Sequence, residues 1–179
     1  LVQQILLFSR QKEYEKKPIR LQLLLKEVLK LTRSTLPSTI EIAQNIDAGC
    51  PTIFADFTQI HQVVMNLITN AFHAMEATGG RLTISLHEIE TGPDGPEHGL
   101  PPERRYVRLI VSDTGCGIDA TVIDRIFEPF FTTKPREKGT GMGLSVVHGI
   151  LKNHDGSIHV ESEFNRGTSV YVYLPCHGG

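Results

Sequence analysis

The 179-residue chain lacks the sequence features that mark several classes of protein. Its three cysteines, Cys50, Cys116 and Cys176, form no C-x-x-C pair, which argues against a disulfide framework or a zinc site and favours a reducing compartment. No apolar run approaches the roughly 20 residues that span a bilayer, and the first residues do not form a signal peptide. With 18 basic and 20 acidic residues, no excess charge favours nucleic acid or an anionic membrane. Any phosphate binding must therefore be local.

Two glycine clusters are the most informative stretches that are present. The first, residues 113–117 (DTGCG), directly follows an apolar run that ends at Val111. The second, residues 139–145 (GTGMGLS), opens an amphipathic segment with Leu144, Val147 and Leu151 on one face. Glycine lets the backbone approach a ligand closely. A glycine loop that leads into a helix presents unpaired N–H groups and the positive end of the helix dipole, which suits a phosphate chain.

The second cluster fits neither of the common phosphate loops. A Walker A loop ends in Gly-Lys-Ser/Thr, whereas Gly143 is followed by Leu144 and Ser145. The dinucleotide fingerprint directly follows a strand, whereas the strand before this loop is predicted to end near Ser112, more than twenty residues upstream. We therefore expect a different division of labour, in which Asp113 reads a base and the glycines hold phosphates.

The segment 56–77 predicts an amphipathic helix with a polar stripe beside its apolar face. Asp56 is expected to cap its N-terminus, with Gln59 in the capping-box position. Two asparagines one turn apart in mid-helix have no propensity reason to be there. Two interpretations remain open: solvated asparagines on an outer face, or a neutral oxygen that Asn70 offers to Mg²⁺. The polar stripe consists of Gln62, Asn66, Asn70 and His73.

The periodicity predicts an α/β (α+β) sandwich, with a mixed, mostly antiparallel sheet covered on one face by helices. Residues 1–12 have apolar positions at helical spacing, and they form either an N-terminal helix on the domain or the tail of a longer helix. Residues 90–105 predict an exposed loop without assigned chemistry. The expected helices are 19–34, 56–77 and 143–154, and the expected strands are 39–46, 51–54, 81–89, 106–112, 157–164 and 168–174.

Four motifs in register resemble those of a known family. QVVMNLITNAFHAM, DTGCGI, FEPFFTTK and GTGMGLS, followed by GTSVYVYLP, are similar in order and spacing to the N, G1, F and G2 boxes of the sensor histidine kinase catalytic domain. That domain belongs to the superfamily shared with gyrase, MutL and certain heat-shock chaperones. The resemblance covers about residues 19–175, and it implies the Bergerat ATP-binding fold with ATP and Mg²⁺ as ligands.

The resemblance implies a role for each matching position. Asp113 accepts a hydrogen bond from the adenine amino group, with Gly117 close to the base. Asn70 ligates Mg²⁺ and Asn66 lies beside the phosphates, so these two are the expected catalytic residues. Residues 127–138 form the lid, with Phe130 or Phe131 as its latch and Lys134, Arg136 and Lys138 near the phosphates. The positions expected to contact Mg-ATP are Asn66, Asn70, His73, Ala74, Asp113, Gly115, Gly117, Ile118, Phe127, Lys134, Thr140, Gly141, Met142, Gly143, Leu144 and Ser145.

The resemblance also implies a domain division and a reaction. Residues 1–17 resemble the end of the second dimerisation and phosphoacceptor helix with a linker, 18–176 the ATP-binding domain, and 177–179 a tail. Hydrolytic relatives usually carry Glu where this chain has Asn66, and an amide cannot take a proton, so general-base hydrolysis is disfavoured. The expected acceptor of the γ-phosphate is a histidine upstream of Leu1, because none of the eight histidines here lies in the family's phosphoacceptor box, and those other than His73 are interpreted as surface or structural residues.

Partners and location follow from the same resemblance. They are the protein's own dimerisation and phosphoacceptor domain and, indirectly, a response regulator, without nucleic acid and without membrane contact by this chain. The full-length protein is expected to be a cytoplasmic homodimer or one anchored to a membrane through upstream segments. Two alternatives stay open: a serine kinase or ATPase on the same fold, and a nucleotide-binding scaffold that has lost transfer.

Overall fold

The computed structural model describes residues 15–92, 100–132 and 141–178 of the chain. The helix expected within residues 1–12 lies outside them. The helices are α1 (Leu21–Thr35), α2 (Phe57–Met75) and α3 (Gly143–Asn153), with a short 3₁₀ turn at Ile123–Arg125. The strands are β1 (Lys17–Ile19), β2 (Ile40–Ile46), β3 (Ile53–Ala55), β4 (Gly80–Glu90), β5 (Arg105–Asp113), β6 (Ser157–Glu163) and β7 (Gly167–Pro175).

The main sheet has five strands in the order β2-β4-β5-β7-β6. β2 runs parallel to β4, and the other pairs are antiparallel. The predicted sandwich with a mixed, mostly antiparallel sheet and helices on one face is confirmed. β1 pairs with β3 in a separate two-stranded sheet and was not predicted, because three residues around Pro18 carry no alternation of their own. The helix predicted over 19–34 therefore starts at Leu21, since Ile19 closes β1.

One apolar core joins the helices to a single face of the sheet. Alternate residues of the central strands point into this core, because side chains of a strand alternate between its two faces. The helices contribute residues three and four apart, which share one face of a helix. Among the described helices, none combines the length and apolar character needed to cross a bilayer. The buried strand residues include Leu82, Ile84, Leu86, Val107, Leu109, Val111, Val172 and Leu174, and the buried helix residues include Leu25, Val28, Val64, Leu67, Val147 and Leu151.

The N-terminus of α2 is fixed from two sides. The Asp56 carboxylate accepts a hydrogen bond from the backbone N–H of Gln59 (2.9 Å), so the predicted cap is confirmed. The backbone N–H of Asp56 donates to Nε2 of the buried His154 (3.1 Å), just beyond the end of α3, and Nδ1 of that ring lies 2.8 Å from the Ile150 carbonyl. His154 is therefore a structural residue that ties the start of α2 to the end of α3.

Between β4 and β5, the described residues near Leu100 pack onto the sheet face that points away from the helices. Leu100 is buried there against Tyr106 and Tyr173. The Thr91 hydroxyl donates to the Pro101 carbonyl (2.8 Å) and accepts from the Arg104 backbone N–H (3.0 Å). The expectation of an exposed loop over 90–105 holds for the described residues 90, 92 and 101–105, but Thr91 and Leu100 are buried; residues 93–99 lie outside the described part.

Candidate functional site

A cavity of about 630 Å³ lies between α2, the C-terminal end of β5 with the segment that follows it, and the start of α3. Its volume falls within the range typical of small-molecule sites, roughly 300–1,000 Å³. The polar stripe of α2 and both glycine clusters thus converge on one space. Of the predicted site residues, the cavity is lined by Asn66, Asn70, His73, Ala74, Asp113, Gly117, Ile118, Gly141, Gly143 and Leu144.

Four predicted residues do not line the cavity. Gly115 is buried against Ala74, and the Phe127 ring packs against the His148 ring with 5.5 Å between centroids. The Ser145 hydroxyl donates to the Met142 carbonyl (3.0 Å), so it turns back along its own helix. Met142 immediately precedes α3 without entering the cavity wall. Lys134 and Thr140, with Arg136, Lys138 and Gly139, lie outside the described residues.

Asp113 ends β5 at the cavity edge, and its carboxylate is oriented by its own loop. The Oδ1 atom accepts a hydrogen bond from the backbone N–H of Gly115 (2.8 Å), as in an Asx turn. Thr168 stands opposite Asp113 in the register of β5 and β7 and also lines the cavity. Asp113 and Thr168, whose hydroxyl is hydrogen-bonded to that of Ser162 (2.8 Å), therefore form one polar end of a largely apolar wall.

The loop after Asp113 is held by backbone contacts with its neighbours. The Ile118 N–H donates to the Ser162 hydroxyl (2.8 Å), and the Cys116 N–H donates to the Ala74 carbonyl (3.0 Å). Gly117 has φ +67°, and a Cβ built on it lies 2.1 Å from the Glu163 carbonyl oxygen. Glycine is thus required at 117 by close packing against the turn between β6 and β7.

The two asparagines of α2 face the start of α3. Nδ2 of Asn66 donates to the Gly143 carbonyl (3.3 Å). A Cβ built on Gly143 lies 3.8 Å and 3.9 Å from Nδ2 and Oδ1 of Asn70. Both asparagines are partly buried in the cavity wall, so the interpretation of solvated residues on an outer face is wrong.

The N-terminus of α3 opens toward this cavity without a side-chain cap. Met142 occupies the N-cap position and makes no side-chain hydrogen bond to the helix end. Gly141 has φ +65°, its carbonyl accepts from the Phe130 N–H (3.0 Å), and a Cβ on it lies 2.5 Å from the Phe130 carbonyl carbon. The first N–H groups of a helix have no partner within the helix. They are placed here to bind an anion.

The sequence did not reveal the apolar wall of the cavity. Strand alternation assigned Val111, Val160 and Val170 to a sheet, but their common position depends on strand pairing. Phe131, considered as a latch, lines the cavity with the Arg125 guanidinium 4.5 Å from its ring centroid, while Phe130 is 72% exposed. The lining residues absent from the expected contact set are Leu67, Thr69, Ala71, Glu76, Val111, Cys116, Ile126, Phe131, Thr132, Val160, Thr168 and Val170.

The donor set of the cavity fits a magnesium ion carried in by a phosphate ligand. No group of three or more His, Cys, Asp or Glu side chains that could hold a metal occurs among the described residues. Mg²⁺ keeps several waters and is commonly bound by few protein oxygens together with substrate phosphates. Asn70, beside the uncapped end of α3, offers such an oxygen.

Comparison with known proteins gives one consistent result. Residues 55–178 match the family described as "Histidine kinase-, DNA gyrase B-, and HSP90-like ATPase". The chain is 39% identical over 176 residues to the sensor kinase CckA of Brucella abortus (strain 2308), a match that covers 98% of this chain and 18% of that protein. This chain spans about a fifth of the length of CckA and of a putative sensor protein of Shewanella frigidimarina (strain NCIMB 400), which it also matches.

Solved structures agree with the sequence match. The histidine kinase ThkA in complex with the response regulator TrrA has a TM-score of 0.75 and 27% identity, covering 98% of this chain and 46% of that one. Full-length ShkA in complex with AMPPNP has a TM-score of 0.71 and 27% identity, covering 92% of this chain and 32% of that one. The chain therefore belongs to the histidine kinase-, DNA gyrase B- and HSP90-like ATPase family and has the fold of histidine kinase catalytic domains.

Proposed function

We propose that this chain is the ATP-binding catalytic domain of a sensor histidine kinase. It binds Mg-ATP in the cavity and donates the γ-phosphate to a histidine on a dimerisation domain outside this chain. The observation that carries the proposal is the convergence of Asn70, Asp113 and the uncapped N-terminus of α3 on one cavity. The similarity to the sensor kinase CckA and to ShkA, whose structure contains AMPPNP, supports it.

The two ends of the cavity suit the two ends of the nucleotide. Asp113 and Thr168 form the polar pair that recognises the base, and Val160 and Val170 give the ring an apolar wall. The N–H groups at the start of α3 bind the phosphate chain. Asn70 would hold Mg²⁺, which would neutralise phosphate charge. Lys134 and Thr140 belong to the proposed phosphate contacts, although they lie outside the described residues.

The chemistry at the phosphate end favours transfer to another nucleophile over hydrolysis. Asn66 donates its amide N–H to Gly143 and has no basic atom with which to activate water. Glu76 lines the cavity, but ten residues of α2 separate it from Asn66, about 15 Å along a helix. Asn66 and Asn70 contribute amides to this end of the cavity, and the start of α3 contributes backbone donors, groups that position and stabilise a transferring phosphoryl group.

Replacing Asn70 with Ala tests the site. We expect the affinity for Mg-ATP to fall on the order of tenfold or more, and that for ATP in EDTA to change far less, because the lost oxygen serves the metal. Isothermal titration calorimetry of both ligands measures the difference. Gln62→Ala is the matched control, since Gln62 lies on the same stripe, exposed and outside the cavity. Equal losses for both ligands would show that the role of Asn70 is structural.

A transfer assay distinguishes the proposed reaction from the alternatives. The chain is incubated with γ-labelled ATP and a separately supplied phosphoacceptor domain. Acid-labile, alkali-stable label on that domain supports the histidine kinase, and label of the opposite stability indicates a serine kinase. Release of inorganic phosphate alone indicates an ATPase, and no turnover indicates a nucleotide-binding scaffold.

We extend the proposal to the whole protein. Residues 1–17 are assigned to the phosphoacceptor helix and linker, 18–176 to the catalytic domain and 177–179 to a tail, although the His177 N–H donates to the Thr52 carbonyl (2.8 Å). The proposed partners are the protein's own dimerisation domain, in a cytoplasmic homodimer that is free or anchored through upstream segments, and a response regulator. The ThkA structure, which contains a response regulator, supports the last of these.

A further inference from the structure

A second groove, of about 500 Å³, lies between helix α1 and strand β2. It shares no residue with the nucleotide cavity. One wall belongs to the helix and is cationic, while the strand contributes the opposite rim. The lining residues are Lys26, Leu29, Lys30, Arg33 and Ser34 of α1 and Gln44 of β2.

Strand β2 is an edge of the main sheet, and its backbone is available for pairing. It pairs with β4 and, within the described residues, with no second strand. Natural edges are commonly protected by lysine, proline or unpaired charge. The sequence IEIAQNI of β2 has no lysine or proline, and its single charge, on Glu41, is paired with Arg81 (3.1 Å).

The opposite edge of the sheet, β6, is different. Its sequence SIHVESE carries two carboxylates. Glu161 accepts a hydrogen bond from the Tyr171 hydroxyl (2.8 Å), and Glu163 is paired with Arg166 (3.1 Å). The edge strand with the single, paired carboxylate therefore lies beside the cationic groove, and the edge strand with two carboxylates does not.

The cations of the groove are exposed, and they repeat at a spacing that an extended chain can match. Lys26, Lys30 and Arg33 form no ion pair with any other described residue. Lys26 and Lys30 are one turn apart, about 6 Å along the helix axis. Side chains on one face of a strand recur every ~6.6 Å. Acidic residues at alternate positions of a strand would thus lie opposite successive cations.

We propose that this groove binds an extended acidic segment of a partner protein. The segment adds to β2 as a further strand, and its alternate carboxylates pair with Lys26, Lys30 and Arg33. A second copy of this chain is a poorer occupant, because its own β2 presents Ile40, Ile42 and Gln44 on that face. It would also bring a second cationic helix to the interface. The proposal does not depend on nucleotide binding.

Synthetic peptides test the proposal on the 179-residue chain. A short labelled peptide of alternating glutamate and threonine is titrated by fluorescence anisotropy beside a peptide with lysine in place of glutamate. We expect binding of the glutamate peptide alone, with amide NMR shifts confined to 40–46 and 26–34, and weaker binding at ~0.3 M than at ~0.05 M salt. Equal binding of both peptides, or shifts centred on 157–163, would overturn the proposal.

Charge variants sharpen the test. Lys26→Gln/Lys30→Gln is expected to lower the affinity for the glutamate peptide about tenfold. Lys26→Glu/Lys30→Glu is expected to prefer the lysine peptide. The control Lys17→Gln/Lys152→Gln removes two other exposed charges and is expected to bind as the parent does. Circular dichroism and ATP titration verify that each variant folds. If the Lys26→Glu/Lys30→Glu variant does not fold, the Lys26→Gln/Lys30→Gln variant alone tests whether the lysines contact the peptide.

Two further outcomes contradict the proposal. An unchanged affinity in the glutamine pair would show that the lysines do not contact the peptide. Lysine-dependent binding of heparin or of anionic phospholipid vesicles, with no binding of the glutamate peptide, would assign the groove to polyanions in general.

Discussion

The two helices that wall the nucleotide cavity begin in opposite ways. At α2 the cap residue Asp56 has an extended backbone (φ −80°, ψ 121°), and its carboxylate accepts from the Gln59 N–H. At α3 the cap residue Met142 has a helical backbone (φ −104°, ψ −17°) and makes no side-chain hydrogen bond to the helix end. The nearby Ser145 hydroxyl donates to the Met142 carbonyl, so it does not cap the N–H groups of the first turn.

The start of α2 therefore contributes to stability, whereas the start of α3 leaves backbone N–H groups that can bind a ligand. The closed start of α2 is satisfied by the protein itself, and a cap of this kind contributes about 1 kcal/mol. The open start of α3 forgoes that contribution and keeps its N–H groups for a ligand. Gly141 and Gly143 keep side chains away from this end, so a phosphate chain can approach the backbone.

Replacing Gly141 with Ala is expected to have the largest effect, because it deforms the open end. The residue has φ +65°, and the added Cβ meets the Phe130 backbone at 2.5 Å. We expect the free energy of unfolding to fall by about 1–3 kcal/mol. Nucleotide affinity is expected to fall by more than about tenfold, or 1.4 kcal/mol. Urea denaturation and calorimetric titration measure the two quantities.

Gly149→Ala, within α3, is the matched control. A Cβ at Gly149 meets nothing within 4 Å, so alanine there is expected to stabilise the helix by about 0.5–1 kcal/mol without altering nucleotide affinity. Unchanged nucleotide affinity in Gly141→Ala would show that the open start of α3 does not hold the ligand.

Asp56→Ala removes the side-chain cap at the start of α2. Removal of the cap is expected to lower the free energy of unfolding by about 1 kcal/mol. Nucleotide affinity is expected to stay near that of the parent, because Asp56 does not line the cavity and lies ten residues before Asn66, about 15 Å along the helix. Asp56→Asn keeps an oxygen acceptor and should retain most of the stability. A loss of affinity that exceeds the loss of stability would show that the closed end also serves binding.

The features predicted from sequence were those encoded within a single element. The Asp56 cap, the polar stripe of α2 and the position of Asp113 after a strand depend on neighbours a few residues away. Contacts across long separations were not predicted. The partner of the Asp56 N–H, His154, is 98 residues away, and the Ser162 hydroxyl that holds Ile118 is 44 residues away.

Some residues of the expected contact set lie outside the cavity wall. The motif resemblance assigned Gly115 and Ser145 to the ligand together with their neighbours. The structure places Gly115 against Ala74 and turns the Ser145 hydroxyl onto Met142. A motif gives the spacing of a loop along the chain, but which of its residues face the ligand depends on the path of the backbone. The apolar wall was missed for the same reason, since Val160 and Val170 meet through strand pairing.

The smallest expected effect concerns the pH dependence of the closed end. Because His154 accepts the Asp56 N–H at Nε2, its proton is on Nδ1 and bonds the Ile150 carbonyl, so the ring is neutral. Burial lowers the pKa of His154 below its usual 6.5, and Lys16 acts in the same direction against the opposing effects of the Ile150 carbonyl, Asp56 and Asp155. A pKa lowered by folding contributes stability that is present above 6.5 and is lost as the pH falls through the folded value.

We therefore expect the difference in the free energy of unfolding between the parent and His154→Asn to become smaller as the pH is lowered. In the imidazolium both ring nitrogens carry a proton, so Nε2 can no longer accept from the Asp56 N–H. Acid therefore removes from the parent the same hydrogen bond that the substitution removes at neutral pH. One proton limits the change to about 1.4 kcal/mol per pH unit. Urea denaturation at pH 7 and pH 5 measures it, with His148→Asn, at an exposed position of α3, as the control. If this difference is the same at pH 7 and pH 5, His154 does not titrate in this range. Its contact with the Asp56 N–H would then hold the start of α2 equally well at both pH values.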